Sequence, residues 1–530
     1  MPDQDLPLLP LSVSSFSDLR KWQMIYVDKT DLVCELAKQP RKFFLARPRR
    51  FGKSLLVSTF ESLFTHGLRD FKGLKAERLW HDDVHYNVVH LDFSEIKEFR
   101  TLQDFQIQLA RSLRDAFAPY GFRPDETRPG TLHLDLSEWF KTQPGTSLVL
   151  LIDEYDAPLV SVMNDAELFV EIRSELNKIY ATFKKHDGVL RFMFVTGIVK
   201  FSQTGIFSVL NQLIDISLDP RYGALLGYTD NEVQQYFHPH IRRAAQVLKC
   251  TEDAVVEQLK LNYDGFCFDD LVSTHVHAPW SVLNFLDAPI RGFKNYWATS
   301  GSQISLLQQY LNNHCLRDPR NFQKELAVEY SKLDTTTDLN ELDETALLVE
   351  TGYLTFKRRE MDTFFVSYPN QEVAESMGKI YTQRLLNNRS LPAVGAGSLL
   401  KVLAEGNIDE TFAEINRAFL SIDYRHYPIH SEADCRAYLQ VFLRGAGLTP
   451  MAEQHNALGR SDLEFDVADC RWVVELKYQK TETGDPHRLL AAAREQMELR
   501  RYGETSTKKL VRAVAVFSEK ERRFTAWGSV

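Results

Sequence analysis

The sequence predicts an α/β protein with a parallel sheet and helices on both of its faces. A mostly helical middle part and a small C-terminal α/β domain are expected to follow. Before residue 230, short apolar runs alternate with amphipathic stretches, which is typical of a parallel sheet. After the Pro-, Ser- and Gly-containing segment Ser390–Gly395, apolar runs return around one helical stretch.

The N-terminal strands are expected where compact apolar runs occur, because strands buried on both faces are continuously apolar. These runs are Phe43–Ala46, Val88–Phe93, Ser147–Ile152 and Arg191–Thr196. Amphipathic periodicity predicts helices between them, at Leu102–Phe117 and Leu168–Phe183.

The middle part is expected to be a helical lid or connector domain, with helices at Glu232–Leu248 and Glu252–Leu261 and one short strand-like run, Gly352–Phe356. In the C-terminal part, strands are predicted at Asp462–Val467, Arg471–Tyr478 and Leu510–Phe517, with a helix at Pro486–Tyr502. The predicted domains are therefore 1–230, 231–390 and 391–530.

Length and charge restrict the functional classes. The chain has 530 residues, more than one hydrophobic core usually supports. Its net charge of −9 excludes a general polycation, so any contact with nucleic acid requires a local basic surface.

Cysteine spacing and hydropathy predict a cytoplasmic protein with no membrane partner. The six cysteines form no CxxC pair, so neither a zinc site nor a dense disulfide framework is indicated. The N-terminus shows no secretory signal, and no apolar stretch is long enough for a membrane-spanning helix.

A phosphate-binding loop is predicted between the first strand and an apolar helix, Leu55–Phe64. The loop reads Arg47-Pro48-Arg49-Arg50-Phe51-Gly52-Lys53-Ser54. Gly52 permits close backbone approach, Lys53 reaches the terminal phosphates, and Ser54 can ligate Mg²⁺ at the start of a helix. Arg47 replaces the first glycine of the common pattern, so a basic surface turn remains the alternative interpretation.

Two further strand ends extend this prediction. Asp153 and Glu154 end the third apolar run, where Asp153 is expected to hold Mg²⁺ and Glu154 to polarise the attacking water. Thr196 ends the next run and is a candidate sensor of the γ-phosphate, with Lys200 a weaker one. An acidic pair that caps a helix is the alternative for the carboxylates.

The three loop arginines are candidates for a second task, because phosphoryl transfer needs a cation beyond the lysine. Arg47, Arg49 and Arg50 can supply it within the same chain. Arg49 or Arg50 can instead face a partner or nucleic acid.

Taken together, these segments resemble a bacterial AAA-ATPase-like family of P-loop NTPases that carries a C-terminal PD-(D/E)XK nuclease-superfamily domain. The resemblance rests on Tyr26–Thr30, the loop at 47–54, Ile152–Pro158, Thr196–Ile198, Phe207–Asp215 and Leu226–Thr229. Arg47 matches the family's own form of the loop. The resemblance implies an ATPase fused to a nuclease-like domain.

Independently of that family, the C-terminal part contains a carboxylate–lysine constellation. Glu475 and Lys477 alternate along one predicted strand and therefore share a face, which Asp462 can reach if its strand pairs alongside. Two carboxylates can hold Mg²⁺ or Mn²⁺ against a phosphate, and the lysine can help to activate water.

This constellation resembles the PD-(D/E)XK arrangement of restriction-endonuclease-like folds. Asp462, Glu475 and Lys477 fall on its core positions, and Glu432 and Gln496 fall on accessory ones. The alternative is a set of alternating charges on an exposed strand. A basic patch for nucleic acid is a further expectation, comprising Lys480, His487, Arg488, Arg494, Arg500, Arg501 and Arg522.

The resulting hypothesis is an ATP- and Mg²⁺-dependent ATPase joined to a metal-dependent nuclease, with ATP turnover gating or moving the nuclease. Two alternatives stay open: a nucleotide-dependent switch whose tail binds nucleic acid or protein without cleavage, and an assembly or effector scaffold. DNA or RNA as the substrate and a homo-oligomeric state also remain open.

Overall fold

The computed structural model describes residues 6–125, 127–200, 212–299, 307, 310–311, 325–334, 343–452, 455–456, 459–480, 485–502 and 508–530. Part of the resemblance segment Phe207–Asp215, residues 207–211, lies outside these ranges. The chain divides into two compact units, one before and one after the junction of Asn370 with Gln371. The boundaries near residues 230 and 390 remain predictions of the sequence.

The first unit is built on a parallel sheet. Among the described residues its five strands follow the order β2-β3-β4-β1-β5. They are β1 Lys42–Ala46, β2 Asn87–Asp92, β3 Leu148–Asp153, β4 Leu190–Gly197 and β5 Leu213–Asp215. Each neighbouring pair is parallel, so the carboxyl ends of the strands share one edge. The predicted α/β fold with a parallel sheet is confirmed.

Helices alternate with these strands along the chain. They are Phe16–Lys21, Thr30–Lys38, Lys53–His66, Ala76–Leu79, Leu102–Phe117, Leu132–Lys141, Ala157–Ser161 and Ala166–Lys185. The helix Leu102–Phe117 has the predicted bounds. Thr101 caps it by accepting a hydrogen bond from the amide of Asp104 at 3.1 Å, and its apolar face is buried.

The rest of the first unit is mostly helical, as predicted. Its helices are Asp230–Leu248, Glu252–Tyr263, Pro279–Asp287, Tyr296–Thr299, Tyr330–Asp334 and Glu344–Glu350. It also contains β6 Phe266–Cys267, β7 His275–Val276, β8 Leu326–Glu329, β9 Thr355–Glu360 and β10 Thr363–Ser367.

Only one of these five strands overlaps the strand-like run predicted at Gly352–Phe356, and it starts later. Gly352 has a φ of +80°, which places it in a turn, and β9 begins at Thr355. The other strands are too short or too irregular in hydropathy to be recognised from periodicity alone.

The second unit combines helices with a mixed sheet. The helices are Gln371–Leu385, Leu399–Glu405, Ile408–Phe419, Glu432–Gly445 and Pro486–Arg500. The strands are β11 Met451–Ala452, β12 His455–Asn456, β13 Gly459–Arg460, β14 Leu463–Val467, β15 Cys470–Gln479, β16 Lys509–Ser518 and β17 Arg523–Ser529. In the described part, the larger sheet has the order β11-β14-β15-β16-β17, with β15 and β16 parallel.

The sheet of the second unit confirms the predicted C-terminal α/β arrangement. β14 and β15 form an antiparallel hairpin in which Leu463 lies opposite Val474. The helix Pro486–Arg500 connects the two parallel strands and buries Leu490, Ala493 and Met497. Within the ranges described, no helix combines the length and apolar character that crossing a bilayer requires.

Candidate nucleotide and metal sites

The predicted phosphate loop connects β1 to the helix Lys53–His66. Gly52 has a φ of +99° and Arg50 a φ of +66°, so the backbone turns through left-handed conformations before the helix. Such a turn directs successive amides toward one side, and the first amides of a helix have no partner within it. The local backbone is therefore suited to an anion, as the sequence predicts.

Lys53 is folded back onto the loop. Its Nζ donates hydrogen bonds to the carbonyl oxygens of Arg47 at 2.9 Å and Pro48 at 3.1 Å. Burial lowers the pKa of Lys53, and the nearby carboxylates of Asp153 and Glu154 oppose that shift. A terminal phosphate is a stronger partner for this cation than two carbonyls.

The side chain of Arg47 is turned into the protein interior. Its guanidinium is buried and donates to the carbonyl oxygens of Ser217 at 2.6 Å and Tyr222 at 3.3 Å. It also lies 4.5 Å from the ring centroid of Phe268. In this structure the side chain therefore joins the loop to neighbouring segments, which leaves Arg49 and Arg50 as the loop arginines that remain candidates for the predicted transition-state cation.

Pro48 and Phe51 also contact the part of the first unit that follows the sheet. The ring of Phe51 packs edge-on against Phe266 and Phe268, with centroids 5.0 Å away in both cases. A Cβ atom on Gly352 would lie 2.7 Å from Cγ of Pro48, so this approach requires glycine. The loop is thus packed against this part of the unit through the side chains of Phe51 and Pro48.

The end of β3 meets the end of β4 through two of the predicted site residues. The hydroxyl of Thr196 donates to Oδ1 of Asp153 at 2.9 Å, and both residues are buried. Glu154 follows with a φ of +49°, a strained conformation for this residue type. Burial raises the pKa of Glu154, while the charges of Arg49 and Lys53 lower it.

Tyr155 and Asp156 fix the two strand ends to each other. The Tyr155 hydroxyl donates to the carbonyl of Val199 at 2.7 Å. The Asp156 carboxylate accepts hydrogen bonds from the amides of Ile198 and Val199, both at 2.9 Å. These contacts join the segment after β3 to the segment after β4, next to Asp153 and Thr196.

A cavity of about 450 Å³ opens on the phosphate loop. It is lined by Arg50, Gly52, Lys53, Ser54 and Glu154, so the predicted phosphate ligands and the predicted water-directing carboxylate share one space. Tyr228, Pro279, Trp280 and Leu283 also line it. Tyr228 lies in the resemblance segment Leu226–Thr229, but none of the four was predicted to be a site residue. Their place in this cavity is set by tertiary packing, because they come from separate segments that meet only in the fold.

Lys200, the weaker sensor candidate, has another partner. Its Nζ lies 2.7 Å from Oδ2 of Asp215, and the pair lines a different cavity of about 530 Å³. Asp230 and His277 form a separate pair at 2.8 Å, with Asp264 nearby. Lys260 lies 2.7 Å from Asp230, so a positive charge already balances that cluster.

In the second unit, the predicted carboxylate–lysine set is brought together on β14, β15 and their flanking helices. Lys477 Nζ donates to Oε1 of Glu475 at 2.9 Å, which agrees with their predicted common face. Asp462 Oδ2 accepts from the amide of Leu476 at 2.8 Å, so this carboxylate lies beside β15. Arg436 donates to the other oxygen of Asp462 at 3.2 Å.

Glu475 is the most buried member of this set. Burial, followed by the charge of Asp462, raises the pKa of Glu475 to about 7. Its Oε1 accepts from Lys477 and Gln496, whereas Oε2 is buried and has no hydrogen-bond partner within the part of the chain described. A buried orphan carboxylate oxygen beside a second carboxylate fits a divalent cation that prefers oxygen ligands.

The accessory residues lie at the same place. Glu432, at the start of the helix Glu432–Gly445, has a carboxylate oxygen 4.0 Å from Lys477 Nζ. Burial raises the pKa of Glu432, and the charge of Lys477 lowers it. The exposed members of the predicted basic patch include Lys480, Arg488, Arg494 and Arg501, and their contact with nucleic acid remains a prediction.

Comparison with known proteins agrees with the resemblance inferred from the motifs. Residues 10–207 match the family described as predicted AAA-ATPase, and residues 431–527 match the PD-(D/E)XK nuclease superfamily. The chain is also 27% identical over 466 residues to an uncharacterized protein in the vnfD 5′ region of Azotobacter chroococcum mcd 1. That match covers 86% of each chain.

Proposed function

We propose that this chain, which joins a predicted AAA-ATPase segment to a PD-(D/E)XK nuclease-superfamily segment, hydrolyses ATP in its first unit and cleaves phosphodiesters in its second. The first half rests on one observation: Lys53, Ser54 and Glu154 line the same cavity, beside which Thr196 holds Asp153 at 2.9 Å. A triphosphate, its lysine and a water-directing carboxylate can therefore meet at one point.

Each residue has a distinct task in this proposal. The amides around Gly52 bind the phosphate chain, and Lys53 exchanges its loop carbonyls for the terminal phosphates. Glu154 orients the attacking water, and the nearby charge of Arg49 or Arg50 balances charge on the phosphoryl oxygens. Ser54 and Asp153 would hold Mg²⁺, which when bound neutralises the phosphate charge.

The ATPase proposal is tested by phosphate release from ATP with Mg²⁺ on the full-length chain. Lys53→Ala should abolish turnover and weaken ATP binding, whereas Glu154→Gln should lose turnover and keep binding. Lys72→Ala is the matched control, since Lys72 is exposed and lies outside the cavity. Equal turnover by Lys53→Ala and the wild type would refute the proposal.

The nuclease half rests on the orphan oxygen of Glu475 next to Asp462 and Lys477. Asp462, Glu475 and Glu432 would hold Mg²⁺ or Mn²⁺, which when bound offsets the charge of the scissile phosphate. Lys477 positions Glu475 and supplies a cation for the phosphate, and Gln496 orients the carboxylate through its amide.

Cleavage of plasmid DNA and of single-stranded RNA, each with Mg²⁺ or Mn²⁺, tests this half and identifies the substrate. Glu475→Gln and Lys477→Met should both lose cleavage. Asp466→Asn is the control, because Asp466 lies on the same hairpin and pairs with Arg471, outside the set. If Glu475→Gln still cleaves, or if the wild type binds metal but does not cleave, the result would favour a second unit that binds nucleic acid without cutting it.

A further inference from the structure

We propose that the nucleotide base stacks on the indole ring of Trp280. The base would displace the guanidinium of Arg50, which lies over that ring. This inference rests on the proposed nucleotide site and adds the residue that recognises the purine ring. Trp280 belongs to neither of the predicted motifs and lies in the helix Pro279–Asp287, far along the chain from the phosphate loop.

The position of Trp280 is the first argument. It lines the same cavity of about 450 Å³ as Gly52, Lys53 and Ser54. A triphosphate bound at the loop leaves its nucleoside inside or at the mouth of that cavity. Apolar neighbours of Trp280 in this lining include Tyr228, Pro279 and Leu283, which makes this side of the cavity suitable for a flat aromatic ring.

The second argument is the present partner of the indole. The guanidinium of Arg50 lies 4.4 Å from the centroid of the Trp280 ring. A base inserted between them would need roughly 7 Å, twice the normal contact distance between carbon atoms. Arg50 therefore has to move away before a base can stack, and its left-handed backbone, with a φ of +66°, lies in the loop that binds phosphate.

The third argument is that Trp280 is anchored. The Trp280 side chain packs against the apolar cluster that includes Val282, Leu283 and Phe285. The backbone carbonyl of Trp280 accepts a hydrogen bond from the side-chain amide of Asn284 at 2.7 Å. A purine base offers a flat ring that can stack on the anchored indole, whereas inorganic polyphosphate offers no ring at all.

The test compares ATP with inorganic tripolyphosphate, both with Mg²⁺, by calorimetric titration of the full-length chain. Trp280→Ala should weaken ATP binding about tenfold or more, the range expected when a stacking ring is lost. Tripolyphosphate binding should stay within about twofold of wild type, and Trp280→Phe should recover most of the ATP affinity.

Trp22→Ala is the matched control. Trp22 is also an indole with a cation over its ring, Lys21 at 5.9 Å, but it is 60% exposed and does not line the cavity. The ATP affinity of the Trp22→Ala variant should equal that of the wild type. Equal losses for ATP and tripolyphosphate in Trp280→Ala would show a merely structural role and overturn the inference, as would unchanged ATP binding.

Tryptophan fluorescence covers the case in which Trp280→Ala does not fold. ATP should change the emission of the wild type, tripolyphosphate should not, and the ATP-induced change should vanish in Trp280→Phe. The Lys53→Ala variant separates the two proposals. If Lys53→Ala loses binding of both ligands while Trp280→Ala keeps both, only the stacking role of Trp280 is wrong. If the wild type binds neither ligand, the proposed nucleotide site itself is wrong.

Discussion

The hydroxyl of Thr196 donates a 2.9 Å hydrogen bond to Oδ1 of Asp153, across the junction of β4 and β3. The amide of Glu154 donates to the same oxygen at 3.0 Å. Two donors therefore bind Oδ1 of the carboxylate, and Oδ2 is the oxygen that we expect a cation to use. The residue predicted to sense the γ-phosphate also orients the residue predicted to hold Mg²⁺.

From this relationship we expect Thr196→Ala to slow ATP turnover about tenfold or more, because a hydrogen bond to a charged group is lost at a buried site. Thr196→Ser should remain near the wild-type rate, since serine keeps the donor. Phosphate release at saturating ATP and Mg²⁺ measures both. Thr142→Ala, which removes a hydroxyl bonded to the carbonyl of Trp139, is the control. A wild-type rate in Thr196→Ala would contradict the assignment.

Gly197, at the end of β4, should not tolerate even a methyl group. A Cβ atom there would lie 2.5 Å from the ring of Tyr155 and 2.8 Å from a carboxylate oxygen of Asp156. We expect Gly197→Ala to lower the free energy of unfolding by about 1–3 kcal/mol through overpacking. Urea denaturation of the full chain measures the loss.

Gly188→Ala provides the comparison for that substitution, since a Cβ atom at this position meets nothing within 4 Å. Its unfolding curve should coincide with that of the wild type. Equal stability of the two alanine variants would mean that the junction of β3 and β4 can relax, and that the tight packing of Tyr155 is not required.

The phosphate loop shows what could and could not be predicted from the sequence. The strand and the following helix are local features, and the pattern predicted both. The destinations of the arginines are not local: Arg47 donates to Ser217 and Tyr222, and Arg50 stacks on Trp280. Those partners are distant in sequence, so two arginines in one loop gave no indication of their different roles.

The second unit was easier to predict because strand periodicity defines faces. The alternation of Glu475 and Lys477 along β15 predicted their contact, and the hairpin register brings Asp462 alongside. Arg436 was missed because its helix joins the site through tertiary packing, and a single arginine in an amphipathic helix carries no signal of its own. Activity, in contrast to geometry, remains a prediction for both units.

The pairing of His90 with Glu61 makes the stability of the fold dependent on pH. His90 on β2 pairs with Glu61 of the helix Lys53–His66, and the distance from Nδ1 of His90 to Oε2 of Glu61 is 3.0 Å. Burial lowers the pKa of His90, but the hydrogen bond and charge of Glu61 outweigh it, so the pKa is raised overall. The pair therefore stabilises the fold below the unfolded-state pKa, and this contribution is lost as pH rises through the higher folded-state pKa.

We expect Glu61→Gln to cost about 0.5 kcal/mol near pH 6 and almost nothing near pH 9, because the pair is partly exposed and screened. Urea denaturation across that range measures the difference. The double variant with His90→Gln is the control and should show no such pH dependence. A loss that stays constant from pH 6 to pH 9 would assign the effect to packing.

Arg436 competes with any cation for Asp462, since its Nη1 lies 3.2 Å from Oδ1 of that carboxylate. We expect Arg436→Met to tighten Mn²⁺ binding about fivefold, which corresponds to the roughly 1 kcal/mol between unit charges about 4 Å apart in water. Calorimetric titration of the full chain measures the affinity.

Arg471→Met is the matched control, because Arg471 pairs with Glu464 at 2.7 Å on the same hairpin, outside the site. If both variants bind Mn²⁺ as the wild type does, Asp462 is not a metal ligand; if Arg436→Met binds more weakly, the arginine supports the site by holding Asp462 in place.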